Sequence, residues 1–186
     1  MGVRMAEVYL RRLTRWQAEQ QREAVADVYV TAYRGAAGAE YRDRKGFLRR
    51  FEQHVHHDGF DMAVADATGL VGCTYGYRLE RDGAWWADFP VEVTPETEEL
   101  TASGRVFALT ELMVLPALRR RGVATRLGDL LLSRLPKDLV VAGLDRDRDA
   151  AGIRELLRTW GWKQLPATGP GADTSGREVW ARGPVR

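Results

Sequence analysis

A short basic run between two apolar segments is the clearest candidate for chemistry in this sequence. It reads Arg119-Arg-Arg-Gly122-Val-Ala124-Thr125, so a glycine follows the first arginine by three residues and a small residue comes two positions later. Apolar residues typical of a strand precede the run, and helical spacing resumes at Val123. The sequence therefore predicts a strand, a tight basic turn and a helix whose N terminus lies beside the arginines.

A helix N terminus of this kind is suited to an anion. The first backbone N–H groups have no partner within the helix, and the helix dipole adds roughly half a positive charge. Gly122 leaves room for close approach and tolerates backbone angles that other residues resist, while Ala124 keeps the next position small. Arg119, Arg120 and Arg121 add charge, although three adjacent side chains on a turn cannot all face one ligand. These features predict a cradle for a pyrophosphate group.

At these residues the sequence resembles the GNAT superfamily of N-acetyltransferases, whose acetyl-CoA site has Gln or Arg, then Gly, then Gly or Ala at this spacing. Arg119, Gly122 and Ala124 fill the three positions. The resemblance implies an α/β fold with a mixed central sheet, a splayed pair of parallel strands and helices on both faces. It also implies acetyl-CoA as co-substrate, and direct transfer of its acetyl group to a primary amine of a small molecule or peptide in a ternary complex.

The resemblance also implies which residues contact the cofactor. The pantetheine arm is expected against Met113 and Val114, where the two parallel strands part. The remaining contacts are expected on the turn and the first turn of the helix, at Arg119, Arg121, Gly122, Val123, Ala124 and Thr125. The likeness covers most of residues 60–163 and includes a closing Gly-aromatic pair at Gly161-Trp162.

Other functions stay open on the same residues. A cradle for pantetheine and phosphates cannot distinguish acetyl-CoA from another acyl-CoA, such as malonyl-CoA or succinyl-CoA. A CoA-binding regulator without turnover is a further alternative, because the family's acid tyrosine, four residues before the closing glycine, is replaced by Leu157. An ordinary strand-turn-helix with a solvated basic turn needs no ligand at all. Nucleic-acid binding is disfavoured, since the basic patch is short and lacks interleaved aromatic residues.

Direct transfer requires a neutral amine, whereas an alkyl amine at neutral pH is mostly protonated, so a base must take the proton. Glu111 is our candidate for this catalytic base because it lies within an apolar strand, where desolvation strengthens proton binding by a carboxylate. The alternative is that strand alternation turns Glu111 to solvent or into a hydrogen bond with a neighbouring strand. Tyr75 and Tyr77 are substitutes for the missing acid, although each also fits a core position of the sheet.

Residues 82–104 form an aromatic and acidic insertion between two predicted strands. It contains Trp85 and Trp86, and its carboxylates include Asp88, Glu92, Glu96, Glu98 and Glu99. Ring electrostatics and charge complementarity suit a cationic acceptor, so we expect Trp85 and Trp86 to bind the substrate. The alternative is a solvated loop whose tryptophans pack over the sheet.

The sequence offers little support for a metal site. Histidines occur at positions 54, 56 and 57, but neighbouring residues on a helix point in different directions and no cysteine is near. A surface helix end explains the histidines. Asp145 and Asp149 could also suggest a metal, but capping of the last helix is the simpler explanation of Asp149 or Asp147. We therefore predict no metal.

These residues are positioned by a predicted order of elements that fits one domain over residues 1–186. Strands are predicted at 8–12, 60–65, 70–79, 107–114, 139–144 and 177–182, and helices at about 15–34, 47–57, 122–135 and 149–160. The strand-helix-strand-helix order from 107 onward predicts that strands 107–114 and 139–144 are parallel neighbours. In the GNAT fold the first two helices lie over the acceptor site.

Composition narrows the class of protein further. The 186 residues suffice for one substantial core, and 45% apolar with 29% charged residues is typical of a soluble globular chain. No apolar run approaches a membrane span, and a net charge of +2 creates no overall field for nucleic acid, so neither partner is expected. Cys73 is the single cysteine and no secretory signal is evident, which predicts a cytoplasmic protein. The oligomeric state is open, with a homodimer as one alternative.

Overall fold

The structure, a computed structural model, describes residues 7–33, 43–145, 151–170 and 176–184. Within these ranges the strands are β1 (Tyr9–Leu13), β2 (Asp61–Asp66), β3 (Leu70–Arg78), β4 (Val106–Val114), β5 (Leu139–Asp145), β6 (Lys163–Gln164) and β7 (Arg177–Arg182). The α-helices are α1 (Arg15–Gln20), α2 (Arg22–Ala32), α3 (Arg44–Val55), α4 (Pro95–Ala102), α5 (Val123–Leu132) and α6 (Ala151–Thr159). Two short 3-10 helices cover Ala84–Asp88 and Pro116–Leu118.

The strands form one mixed sheet in the order β1-β2-β3-β4-β5-β7-β6. β4 and β5 are parallel, with Val106–Ala108 paired to Leu139–Val141, whereas β1 is antiparallel to β2 and β7 is antiparallel to both β5 and β6. This arrangement confirms the predicted α/β class, the mixed sheet and the parallel neighbours. The helix predicted over about 15–34 is instead two helices, because the backbone at Gln21, with φ −100° and ψ 10°, leaves the helical range.

The chain divides into two compact units, which are described separately. The first combines residues up to Tyr75 with Glu111–Arg134, and the second combines Gly76–Thr110 with the residues from Leu135 onward. β3 and β4 each contribute one part to each unit. The single domain expected over 1–186 stays a prediction.

In the first unit, helices cover both faces of the sheet, and this explains the unbroken apolar run in β2. Met62 and Val64 belong to a buried cluster with α1, α2 and α3, whereas Ala63 and Ala65 belong to a second cluster with α5. All four side chains are fully buried. Because successive strand residues point to opposite faces, a strand covered on both sides needs apolar residues at every position.

Side chains fix the ends of several helices in this unit. Thr14 and Gln17 form a capping box at the start of α1, and the Asp43 side chain accepts a hydrogen bond from the Gly46 N–H at the start of α3. At the C-terminal end of α5, Arg12 of β1 donates a hydrogen bond to the Leu130 carbonyl. The same guanidinium forms an ion pair with Asp61. A guanidinium is favourable there because the last carbonyls of a helix lack partners and carry partial negative charge.

The second unit contains a helix that the sequence prediction did not include. α4 begins at Pro95, and the Thr94 side chain accepts a hydrogen bond from the Thr97 N–H. Thr94, Pro95 and the glutamates that follow are recognisable N-terminal helix signals, so the pattern was available in the sequence.

Elsewhere in this unit, the Glu178 side chain of β7 is buried. Its carboxylate accepts hydrogen bonds from Arg154 at 2.6 Å and from Trp180 at 3.0 Å.

A close backbone approach makes Gly76 of β3 sensitive to substitution. A Cβ atom on Gly76 would lie 2.1 Å from the Ala108 carbonyl oxygen and 2.6 Å from the Phe107 ring. We expect Gly76→Ala to lower the free energy of unfolding by about 3 kcal/mol, since overpacking beside a strand forces the backbone to shift. Chemical denaturation followed by circular dichroism measures this loss.

The matched control is Gly152→Ala in α6, where the new Cβ would meet no described atom within 4 Å. Alanine favours a helix by about 1 kcal/mol over glycine, so this variant should be as stable as the parent or slightly more stable. If the Gly76→Ala variant were as stable as the parent, β3 and β4 would have to move apart at no cost, and the prediction would be wrong.

Candidate functional site

The predicted cradle is a tight connection between β4 and α5 in the first unit. After Val114 the chain forms the 3-10 helix Pro116–Leu118 and then turns sharply into α5. Arg120 and Gly122 have positive φ values of 59° and 76°. The left-handed region carries no steric penalty for glycine, whereas it costs an ordinary residue about 1–2 kcal/mol. Glycine is therefore the residue of lowest conformational cost at the last position of the turn, immediately before the helix.

The N terminus of α5 differs from those of α1, α3 and α4, each of which is capped by a side chain. Its N-cap residue is Gly122, which has no side chain with which to form a capping hydrogen bond. A Cβ atom on Gly122 would meet no described atom within 4 Å, so the space beside the terminus is open. The first N–H groups of a helix lack acceptors within the helix and carry partial positive charge. This geometry suits an anion of the size of a phosphate.

The structure brings the eight predicted cofactor residues together along one stretch of the first unit. Gly122 and Arg121 are exposed, and Ala124 and Thr125 are half-buried, whereas the Val123 side chain is buried against the sheet. Val123 can therefore offer a ligand only its backbone. Met113 and Val114 lie at the end of β4, directly before this turn.

Met113 and Val114 point their side chains into opposite parts of the core. Met113 packs in the cluster with α1, α2 and α3, and Val114 packs in the cluster with α5. Both side chains are buried, with exposed fractions of 2% and 7%. A ligand lying along the end of β4 would therefore meet the backbone of these residues and not their side chains.

The Arg119 side chain bonds within the protein. Its Nε donates to the Val114 carbonyl at 3.1 Å, and its Nη2 donates to the Ala32 carbonyl at the last residue of α2. The guanidinium therefore connects the end of β4 with the end of α2. These bonds within the protein stabilise the turn.

Glu111 is half-buried, and it lies on the same face of β4 as Met113. The Tyr33 hydroxyl donates a long hydrogen bond of 3.5 Å to Glu111 Oε2, and the Glu111 carbonyl accepts from Thr74 Oγ1 at 2.8 Å. Strand alternation thus directs the carboxylate towards the end of α2. Sequence reasoning missed Tyr33, because 78 residues separate it from Glu111.

No protein-family model and no curated protein sequence matches this chain. The structure, however, is similar to an acetyltransferase from Thermus thermophilus, with a TM-score of 0.64 at 12% identity over 94% of this chain and 96% of that one. It is also similar to a GNAT-family acetyltransferase from Staphylococcus aureus, with a TM-score of 0.60 at 12% identity over 95% and 98%. A third similar structure is the PaiA N-acetyltransferase from Thermoplasma acidophilum in complex with coenzyme A, with a TM-score of 0.59 at 11% identity over 95% and 99%.

The chain has the GNAT fold. The likeness extends over nearly the whole length of each protein, although the sequences are too different for the similarity to show more than the fold. The resemblance first indicated by Arg119, Gly122 and Ala124 therefore holds at the level of architecture.

The GNAT position usually held by an acid tyrosine is a core position in this chain. Leu157 of α6 is buried, with an exposed fraction of 1%. The two alternative tyrosines are also buried: the Tyr75 hydroxyl lies 3.0 Å from His54 Nδ1, and burial raises the pKa of Tyr77. Tyr75 and Tyr77 thus have the core placement that the sequence also allowed.

The insertion at 82–104 is more ordered than the sequence suggested, and its two tryptophans differ in role. Trp86 is buried, and its Nε1 donates to Thr101 Oγ1 at 3.1 Å, which fixes the 3-10 helix against α4. Trp85 is half-buried and packs on the Phe89 ring with the ring centroids 4.4 Å apart. Phe89 in turn covers Gly143 of β5, where a Cβ atom would lie 2.3 Å from the ring.

The histidines and the cysteine have structural contacts. His54 bonds to Tyr75, and His56 lies 3.5 Å from a Glu19 carboxylate oxygen. Cys73 is buried, and burial raises the pKa of its thiol. Among the described residues, no three His, Cys, Asp or Glu side chains lie together as metal ligands would. The described helices also include none that is long and apolar enough to cross a membrane.

The predicted cap of the last helix is Asp147 or Asp149, and both lie outside the described residues. Asp145, the other acidic residue named with them, is the last residue of β5, and its carboxylate lies 3.6 Å from Arg177 Nε. The role of Asp147 or Asp149 as the cap stays a prediction.

His54 should make the protein less stable in acid. Burial, reinforced by His57 and Arg50, lowers the pKa of His54 to about 4 from an ordinary value of 6.5. At a pH between these two pKa values, His54 of the unfolded chain binds a proton that the folded protein does not. The free energy of unfolding therefore falls as the pH falls through this window. The full shift corresponds to about 3 kcal/mol.

Urea denaturation at pH 7.5, 5.5 and 4.5 measures this effect against His54→Gln, which retains a polar partner for the Tyr75 hydroxyl. We expect the parent to lose more stability than the variant as the pH falls from 6.5 to about 4. Parallel pH curves for the two proteins would contradict the assignment. His56→Gln is the matched control, because His56 is exposed on the same helix end.

Proposed function

We propose that the protein is an acetyltransferase that binds acetyl-CoA at the N terminus of α5 and transfers the acetyl group to a primary amine in a ternary complex. The observation that carries this proposal is the turn at Gly122, a helix N terminus whose N-cap is a glycine in the left-handed conformation with open space beside it. This turn occurs in the GNAT fold, which the chain shares with a structure that contains coenzyme A. The helix terminus supplies N–H groups and positive charge for the pyrophosphate.

The cofactor contacts follow from which groups are accessible. The backbone of residues 121–125 would hold the pyrophosphate, with the exposed Arg121 side chain adding charge beside Gly122. Ala124 and Thr125 are half-buried, so each can also present its small side chain. The pantetheine arm would follow the backbone of Met113 and Val114, whose side chains are occupied in the core. Acetyl-CoA supplies the activated thioester, and no metal is needed for this chemistry.

Glu111 would act as the base that takes a proton from the acceptor amine, directly or through a water molecule. Its carboxylate is half-buried near the end of β4 and bonds to Tyr33, so it is held in place and still reachable. The departing thiolate can receive its proton from water, since Leu157 offers no hydroxyl and a CoA thiolate is a tolerable leaving group. This division of roles requires only one protein group to carry a proton.

We propose that the acceptor amine belongs to a small molecule or peptide and is positively charged before the reaction. Trp85 is the tryptophan that retains exposed surface for such a contact, whereas Trp86 is buried and supports Trp85 from within. The glutamates of α4 are exposed at positions 96, 98 and 99 and favour a positively charged approach to the second unit.

The first test concerns the cofactor. Gly122→Asn should fold, because asparagine tolerates the left-handed region and meets no described atom within 4 Å. Its side chain would occupy the approach to the helix terminus, so we expect the dissociation constant for CoA to rise at least about tenfold, a loss of roughly 1.4 kcal/mol. Calorimetric titration with CoA measures the change.

Gly161→Asn is the matched control for this substitution. Gly161 has a φ of 80° and equally open surroundings, but it lies after α6 in the second unit. CoA binding should be unchanged in this variant. If both variants bind CoA as the parent does, the N terminus of α5 is not the pyrophosphate site.

The second test concerns turnover. Glu111→Gln should lower kcat/KM for amine acetylation by about 10²–10⁴, the range typical of a lost general base, with CoA binding unchanged. Glu52→Gln, an exposed glutamate on α3, is the control for removal of a charge from the same unit.

A CoA-binding protein without turnover is the second candidate function, and the buried Leu157 at the acid position is the observation that favours it. Tight CoA binding with no acetylation of a broad panel of amines would establish this alternative. Assays with malonyl-CoA and succinyl-CoA on the same panel separate it from an enzyme that uses another acyl group.

A further inference from the structure

The Arg119 side chain connects two elements that the proposed reaction uses for different purposes. Nε bonds to the carbonyl of Val114, where β4 enters the cradle turn, and Nη2 bonds to the carbonyl of Ala32, where α2 ends. Both bonds are partly buried and lie within the first unit. A single guanidinium therefore joins the donor side of the site to the end of a different helix.

The residue after Ala32 is Tyr33, which forms the C-cap of α2 and donates to Glu111 Oε2. The Tyr33 N–H donates in turn to the Tyr29 carbonyl at 3.2 Å, so the backbone of Tyr33 still belongs to the last turn of the helix. The position of the Tyr33 hydroxyl thus depends on where this last turn is held. Arg119 holds the turn from the adjacent carbonyl.

The charges favour this connection. The last carbonyls of α2 have no partners within the helix and carry partial negative charge, which a guanidinium offsets. The planar fork of an arginine can serve two carbonyls at once, whereas a glutamine in its place is neutral and its shorter amide has fewer donors. The Arg119 backbone N–H also bonds to the Pro116 carbonyl, so the same residue is part of the cradle turn itself.

We propose that Arg119 is a positioning residue that couples the CoA cradle to the Tyr33–Glu111 pair through the last turn of α2. This inference rests on the proposed function. When an anion stabilises the turn that contains Arg119, the end of α2 is stabilised with it, and the Glu111 carboxylate is held by Tyr33 for proton transfer. Coupling between two sites is reciprocal, so the state of α2 also affects the cradle.

The test compares Arg119→Gln with Tyr33→Phe, their double variant, and Arg134→Gln, which removes an exposed arginine shortly after the end of α5. Arg119→Gln should lower kcat at least about tenfold at saturating acetyl-CoA and move the acidic limb of the pH profile as Tyr33→Phe does. The double variant should be no slower than the slower single variant, because both changes break one connection. Arg134→Gln should match the parent.

A second measurement needs no turnover. In the parent and in Arg134→Gln, saturating CoA should slow hydrogen exchange of the Tyr33 amide, whereas in Arg119→Gln it should not. Equal protection in Arg119→Gln, or rate losses that multiply in the double variant, would overturn the coupling. Loss of binding to CoA but not to pantetheine would also overturn it, because Arg119 would then be a phosphate ligand. Absence of CoA binding by the parent is a different result, which refutes the proposed function itself.

Discussion

The connection from β4 into α5 is the constraint on which the proposed site depends. It contains two residues with positive φ, Arg120 and Gly122, and Gly122 is the N-cap of α5. Arg119, in the same connection, donates from its Nε to the Val114 carbonyl at 3.1 Å, and this bond ties the residues before the helix to the end of the strand that carries Glu111. Because the N-cap is a glycine, it has no side chain of its own to bond the first N–H groups of the helix.

β4 itself has to serve both faces of the sheet. Residues on one face, including Met113, pack with the N-terminal helices, and Val114 on the other packs with α5. Glu111 shares the first face, and this directs it towards α2 and Tyr33. The same alternation that builds the core therefore decides which helix can orient the proposed base. Packing and chemistry are not separable along this strand.

Local patterns were sufficient for most of the elements and for the turn between β4 and α5. Arg119, Gly122 and Ala124 are close in sequence, so their spacing alone predicted the turn that the structure contains. α4 was missed although Thr94 and Pro95 signal a helix start, because its acidic surface resembles a solvated loop. The break at Gln21 has no such signal, since helical spacing continues on both sides of it.

The sequence by itself determined most of the strands and helices, the turn before α5 and the strand that carries Glu111, because hydrophobic periodicity and turn chemistry act over a few residues. The resemblance at Arg119, Gly122 and Ala124 indicated the GNAT fold. Only the tertiary structure decided how the side chains are used. It turned Arg119 towards the carbonyls of Val114 and Ala32, and it placed Tyr33 beside Glu111. These contacts join residues up to 87 positions apart, and no local spacing encodes which distant helix end will face a given strand.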